Sequence, residues 1–267
     1  MINKRIFSLG IILSLIYLLI YGIGIHYLAA GVLMGENQFW YAQQAGYQIL
    51  SLGWYISTFM VGTLSIMVGA GSISREIETG TILSLASKPI SRSNILTGKF
   101  CAYGLMIILY STLLLAVITL LVRYYFHLLI NPLNLLQGLA IFTLFPLLLL
   151  AVTHLFSSLI STMAAGAISF LLYAAAIIGG FIEQMGALIN NAGMVNIGVT
   201  SSLLMPTDAI YRMSIYYTGG MLGGGAIAEI GPFGASSVPS SWMLIYAIIY
   251  IVVILGLAIF AFGRRDF

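Results

Sequence analysis

The sequence predicts an all-α integral membrane protein that crosses the bilayer six times, and three observations carry that expectation. Only 6% of the 267 residues are Asp, Glu, Lys or Arg, where a soluble domain would carry roughly a quarter. The few charges are bunched, leaving uncharged stretches of 30 residues between Arg5 and Glu36, 38 between Glu36 and Arg75, 23 between Lys99 and Arg123 and 59 between Arg123 and Glu183. These stretches lack the alternation of apolar and polar residues that the strands of a membrane β-barrel require. A helix crosses a hydrocarbon core of about 30 Å with about 20 residues. The longest stretch therefore holds two spans, and Ile230 to Gly263 holds one more.

Taken in order, the first span is expected near residues 6–30. It follows Lys4 and Arg5 as a secretory signal would, but its apolar run is about twice the length of a signal core and no small-residue cleavage site precedes Glu36, so it reads as a retained helix. The second span, near 54–74, carries Ser57, Thr58, Gly62, Thr63, Ser65, Gly69 and Gly71, small residues that let helices approach closely. The third is expected near 100–122. The fourth, near 139–160, should kink at Pro146, and its His154 reads as a hydrogen-bonded packing group. The fifth, near 164–182, is rich in Ala and Gly and ends at Glu183. The sixth lies near 241–262. Between the first two spans, Gln38, Gln43, Gln44 and Gln48 alternate with Phe39, Trp40, Tyr41 and Tyr47, a mixture suited to the headgroup zone.

Basic residues orient the chain. With the N-terminus inside, Lys4, Arg5, Arg75, Lys88, Arg92, Lys99, Arg264 and Arg265 fall in the cytoplasm, and only Arg123 and Arg212 fall outside. Trp40, Trp54, Trp242, Tyr124, Tyr125, Tyr216 and Tyr217 then gather on the outer side, as an aromatic belt should. The expected place is the cell membrane, with both termini cytoplasmic. Cys101 is the sole cysteine and has no partner within the chain, so the fold does not depend on an internal disulfide.

The polar segment from Arg75 to Lys99 is the most informative. Gly80 should interrupt the helix leaving the second span, and Thr81 can cap a short new helix. In that helix Ile82, Leu85 and Ala86 share a face until Pro89 ends it. Ser91 can then cap the helix that returns as the third span. A short amphipathic helix held beneath the membrane between two spans is suited to receive a push from a cytoplasmic partner. The alternative is a basic loop that does no more than fix topology.

This segment resembles the ABC-2 type permeases, the membrane subunits of ATP-binding-cassette exporters, including the permease group of nitrous-oxide reductase maturation. The likeness rests on Glu76-x-Glu78-x-Gly80-Thr81-Ile82-x-x-Leu85, on Lys88-Pro89-Ile90-Ser91-Arg92, and on Gly98-Lys99. Pro206-Thr207-Asp208-Ala209-Ile210-Tyr211-Arg212 and the C-terminal Phe262-Gly263-Arg264-Arg265-Asp266-Phe267 add to it. The resemblance implies a half-transporter, paired with a second copy of itself, whose cytoplasmic coupling helix seats in an ATPase subunit. Glu76, Glu78, Gly80, Thr81, Ile82, Leu85, Lys88, Pro89 and Arg92 would form that contact. The chain has no G-x-x-x-x-G-K-[ST] loop, so ATP and Mg would be held by the partner ATPase and no cofactor by this chain. It also implies that the second and fifth spans border the dimer interface and path. A path lined by their small, hydroxyl and apolar groups would suit a lipid-like or largely apolar substrate better than a highly charged ion.

The outer segment 190–240 is long for a compact bundle. Thr207 and Asp208 look like a helix start, Asp208 and Arg212 are spaced as an i, i+4 pair, and Ile210, Met213, Ser214 and Tyr217 share a face. The preferred reading is an interfacial helix that plugs the outer end of the bundle; the alternative makes Asp208 and Arg212 a docking site for an extracellular or periplasmic protein. Nothing points to nucleic acid as a partner. No charged residue falls clearly inside a span, which argues against a proton- or sodium-driven carrier. Intramembrane protease chemistry lacks its motifs, with no H-E-x-x-H, no pair of intramembrane acids and no G-x-S-x-G. A membrane immunity or signalling protein without transport remains the competing class.

Overall fold

The computed structural model describes residues 2–32, 38–80, 91–223 and 237–264, and every regular element among them is a helix. In chain order these are α1 (Ile2–Val32), α2 (Gln38–Ala70), α3 (Ser74–Glu78), α4 (Arg92–Phe126), α5 (Pro132–Phe142), α6 (Leu144–Leu159), α7 (Thr162–Leu188), α8 (Ala192–Leu204), α9 (Thr207–Gly223) and α10 (Trp242–Arg264). Six stretches are long and apolar enough to cross a membrane: Phe7–Gly31, Tyr41–Glu78, Arg92–Phe126, Pro132–Leu159, Thr162–Leu188 and Trp242–Arg264. The chain is a multi-pass membrane protein. The end of the bundle that carries α3 is called here the strap end, and the end that carries α8 and α9 the far end.

Side-chain caps start several helices where the sequence supplies a short acceptor. Ser91 accepts from the Asn94 N–H at 3.3 Å ahead of α4, as its position predicts. Asn131 accepts from the Leu133 N–H ahead of α5, with Pro132 in the first turn where its missing N–H costs nothing. Asn191 accepts from the Gly193 and Met194 N–H groups ahead of α8.

Three boundaries differ from the sequence expectation. The second span begins at Gln38 rather than near residue 54, because the Gln and aromatic stretch is helical and its polar side chains have specific work. Gln43 donates to the His127 carbonyl at 3.0 Å and accepts from the Leu129 N–H at 3.1 Å, and Tyr47 donates to the Leu129 carbonyl at 2.9 Å, so α2 holds the turn between α4 and α5. The fourth span breaks at Thr143, three residues before the expected kink. Pro146 lacks the N–H that would have bonded the Phe142 carbonyl, which leaves the preceding turn free to reset. Finally, much of the long outer segment is helical, as α8 and α9.

The core is built on α2, α4 and α6, where Trp54, Ile107, Leu115, Ile118, Phe145 and Leu149 are all fully or almost fully buried. Trp54 donates its indole N–H to Thr119 Oγ1 at 3.1 Å, so the largest buried side chain leaves no orphan donor. The first helix is apolar all round and exposes Leu9, Leu19, Ile20 and Ile23, the pattern of a lipid-facing span. It is held to α2 by two phenols, with Tyr17 donating to the Gly53 carbonyl at 2.8 Å and Tyr21 to the Ile49 carbonyl at 2.7 Å. The lack of a side chain at Gly53 makes room for this seam, since a Cβ there would overlap the Tyr21 phenol.

Candidate functional site

Two polar clusters lie at opposite ends of this bundle, and the first is the strap formed by α3 and the turns on either side of it. Three residues separate α2 from α3, and Ser72 ends the longer helix by donating to the Gly69 carbonyl at 2.6 Å. The strap is then fastened to the end of α6. The Ile73 and Ser74 N–H groups donate to Ser157 Oγ at 3.3 and 3.0 Å, and Ser157 donates in turn to the Ala70 carbonyl at 2.9 Å. Ile73, Leu96, Ala258 and Phe262 form a small buried cluster beneath it, joining α4 and α10 to the same point. Gly80 closes the strap at φ +69°, a left-handed conformation that only glycine adopts without strain.

The charges of this segment bind other helices of the same chain. Glu76 pairs with Lys99 of α4, whose ammonium also donates to the Ser72 carbonyl at 2.7 Å. Glu78 takes the start of α7 with both oxygens, accepting from the Thr162 N–H at 2.8 Å and from the Thr162 hydroxyl at 3.1 Å. A carboxylate there meets both an unsatisfied N–H and the positive end of the helix dipole. Arg92 donates to the Gly263 carbonyl at 3.1 Å, near the last turn of α10. Of the residues expected to contact an ATPase, Glu76 and Glu78 lie on the strap, Gly80 closes it, and Arg92 binds the last turn of α10. Thr81, Ile82, Leu85, Lys88 and Pro89 lie outside the described residues, and with them the expected amphipathic helix.

The second cluster is at the far end. Arg212 of α9 is fully buried and forks onto Glu183 of α7, with Nη1 2.7 Å from Oε1 and Nη2 2.8 Å from Oε2. Its Nε lies 2.9 Å from Asp208 Oδ2, one helical turn away, although out of line for a hydrogen bond. Ser237 completes the set by donating to Glu183 Oε1 at 2.8 Å, and its carbonyl accepts from Arg212 at 2.7 Å. Asp208 and Arg212, considered for an outer docking role, are both buried. Both side chains are turned inward, because two carboxylates and one guanidinium so far from water are tolerable only as partners of one another. Glu183 was legible as an acid at a span end, but its pairing was not.

With two carboxylates around one guanidinium, the cluster carries a net negative charge when fully ionised. Burial pushes the Asp208 carboxyl up to about 6, and the neighbouring Glu183 charge pushes the same way, while Arg212 opposes both. Burial works against the Arg212 charge, but the two carboxylates outweigh it and raise its pKa. A carboxyl whose folded pKa lies above its unfolded value contributes stability that is present below the unfolded value and is lost as pH rises through the folded one. Relative to Asp208→Asn, the parent should therefore lose about 2 kcal/mol of stability between pH 4 and pH 7. Thermal melts of both proteins in detergent across that range check this. A difference that stays flat, or grows in favour of the parent, would refute it.

His154 sits in α6 with Nδ1 2.9 Å from the Leu150 carbonyl and its ring edge-on to Phe100 at 5.9 Å, so it packs within the bundle. Between α2 and α7 an open apolar groove of about 640 Å³ is lined by Thr63, Met67, Ala70, Met163, Gly166 and Phe170.

The described bundle thus has six candidate spans, a braced strap at one end and a helical cap at the other. The sequence profile of the ABC-2 family transporter proteins matches residues 2–267, and the chain belongs to that family. It is a permease component of an ATP-binding-cassette transporter, and the family implies an ATP-binding partner subunit. No curated protein matches the chain.

Proposed function

We propose that the chain is the permease half of an exporter in the cell membrane, driven from the cytoplasm by a separate ATPase that holds ATP and Mg. The observation that carries this reading is the strap, a short segment joined by hydrogen bonds or ion pairs to α4, α6 and α7. A force applied there reaches several helices at once, which a loop that served only to fix topology would not need. The eight-to-two split of basic residues supports a cytoplasmic strap end. Export rather than uptake follows the resemblance to exporter permeases. The open groove between α2 and α7 supports a second copy of the chain as the other half, and its small and apolar lining suits a lipid-like substrate.

Co-production with a candidate ATP-binding subunit, followed by purification in mild detergent, tests the coupling. The parent should carry the ATPase with it. Leu85→Asp should abolish that association without affecting membrane insertion, because docking would bury an unpaired carboxylate. Normal complex formation by Leu85→Asp would remove the proposed docking face. Labelling from outside the cell at a cysteine placed at position 84, in a Cys101→Ser background, would overturn the orientation.

A further inference from the structure

Both polar clusters attach to the same helix. Glu78 of the strap holds the first residue of α7, and Glu183, close to its last turn, holds Arg212 of the cap. Between them α7 runs unbroken for 27 residues, a length of about 40 Å at 1.5 Å per residue. We propose that α7 is the rod that carries movement of the strap to the far-end cap, with Glu78, Thr162 and Glu183 as positioning residues at its two attachments. This rests on the reading of the strap as the place where an ATPase acts.

The other helices that touch the strap are less suited to the task. The turn at residues 71–73 separates α2 from α3, so a push on α3 can be absorbed there. The path through α6 is interrupted at Thr143 before it reaches the far end. Glu76 meets α4 at Lys99, in its second turn rather than at its end, and no ion pair among the described residues joins α4 to the cap. α7 alone begins at its strap contact and ends in a charged one.

The cap is built to follow α7. A Cβ on Gly198 of α8 would overlap the Cβ of Glu183, and one on Gly180 of α7 would overlap the Asp208 carboxylate, so both cap helices lie directly against α7. Ser201 donates to the Ala175 carbonyl at 3.2 Å, a further tie between α7 and α8. Shifting α7 along its axis would therefore drag α8 and α9 or break a buried ion pair, and the latter is costly.

The test uses the purified complex of the permease with its ATPase, in a Cys101→Ser background with spin labels at positions 124 and 204. Tyr124 on α4 and Leu204 on α8 are both strongly exposed, at 75% and 71%. The distance between them should change when the complex is trapped with ATP and vanadate. Thr162→Ser, which keeps the hydroxyl, should retain that change; Thr162→Val and Glu78→Gln should lose it. Retention of the full change in both of the last two variants overturns the proposal. So does loss of ATPase association in Thr162→Val, which would assign that residue to docking. A parent complex that forms but shows no distance change refutes the rod and leaves the coupling reading standing. A parent that binds no ATPase refutes the coupling reading, and the rod falls with it.

Discussion

Arg212→Met is expected to lower the stability of the folded protein by about 3–5 kcal/mol, the usual cost of removing one partner from a buried ion pair. The guanidinium is fully buried and forks onto Glu183 while lying against Asp208. Without it two carboxylates face each other with no cation, and each must take up a proton or admit water. Arg212→Lys should recover only part of the loss, since an ammonium cannot reproduce the two parallel bonds to Glu183. The triple change Arg212→Met, Glu183→Gln, Asp208→Asn should recover more, because it removes the charges together. Thermal melts in detergent give the order. A melting temperature for Arg212→Met equal to the parent's would mean that the cluster does not hold the cap.

Gly198→Leu should have an effect of similar size by a different route. The nearest atoms to a new Cβ are the Cβ and Cα of Glu183 and the carbonyl oxygen of Gly179, none of which is the free end of a flexible side chain. The helices must separate, and overpacking of this kind costs about 1–3 kcal/mol or more. Separation also displaces Glu183 from Arg212, so the effects of Gly198→Leu and Arg212→Met should sum to more than the double variant loses. Gly256→Leu is the control, because no other atom lies within 4 Å of its Cβ position in α10. It should be neutral or gain up to about 1 kcal/mol from improved helix propensity. Equal losses at positions 198 and 256 would show that the α7 to α8 contact is looser than it stands.

The six spans were legible because their cause is coarse. Charge is excluded from the hydrocarbon, so Arg5, Glu36, Arg75, Lys99, Arg123 and Glu183 mark where crossings can begin and end. Ser91 was legible as a cap because its role depends on residues three positions away. The attachments of the strap were not legible, since Glu78, Lys99 and Arg92 bond to the backbone groups of Thr162, Ser72 and Gly263, and a backbone group leaves no trace in the residue type. The 13-residue helix α8 was hidden for another reason. It is apolar but too short to cross, and its fit against α7 depends on glycines whose partners lie in a different helix.

The two phenols that hold α1 have a consequence for how this sequence can drift over generations. Tyr17 and Tyr21 donate to main-chain carbonyls of α2, at Gly53 and Ile49, and a carbonyl is present whatever side chain the position bears. A different side chain at position 49 would therefore leave that acceptor in place, and what constrains Ile49 is its packing against the core instead. Gly53 is constrained by the seam itself, because its Cβ would overlap the Tyr21 ring. The tyrosines themselves cannot become phenylalanine without losing the attachment. Selection on this seam should fall more heavily on α1 than on α2, so that one of the two most exposed spans carries the more constrained side of the contact.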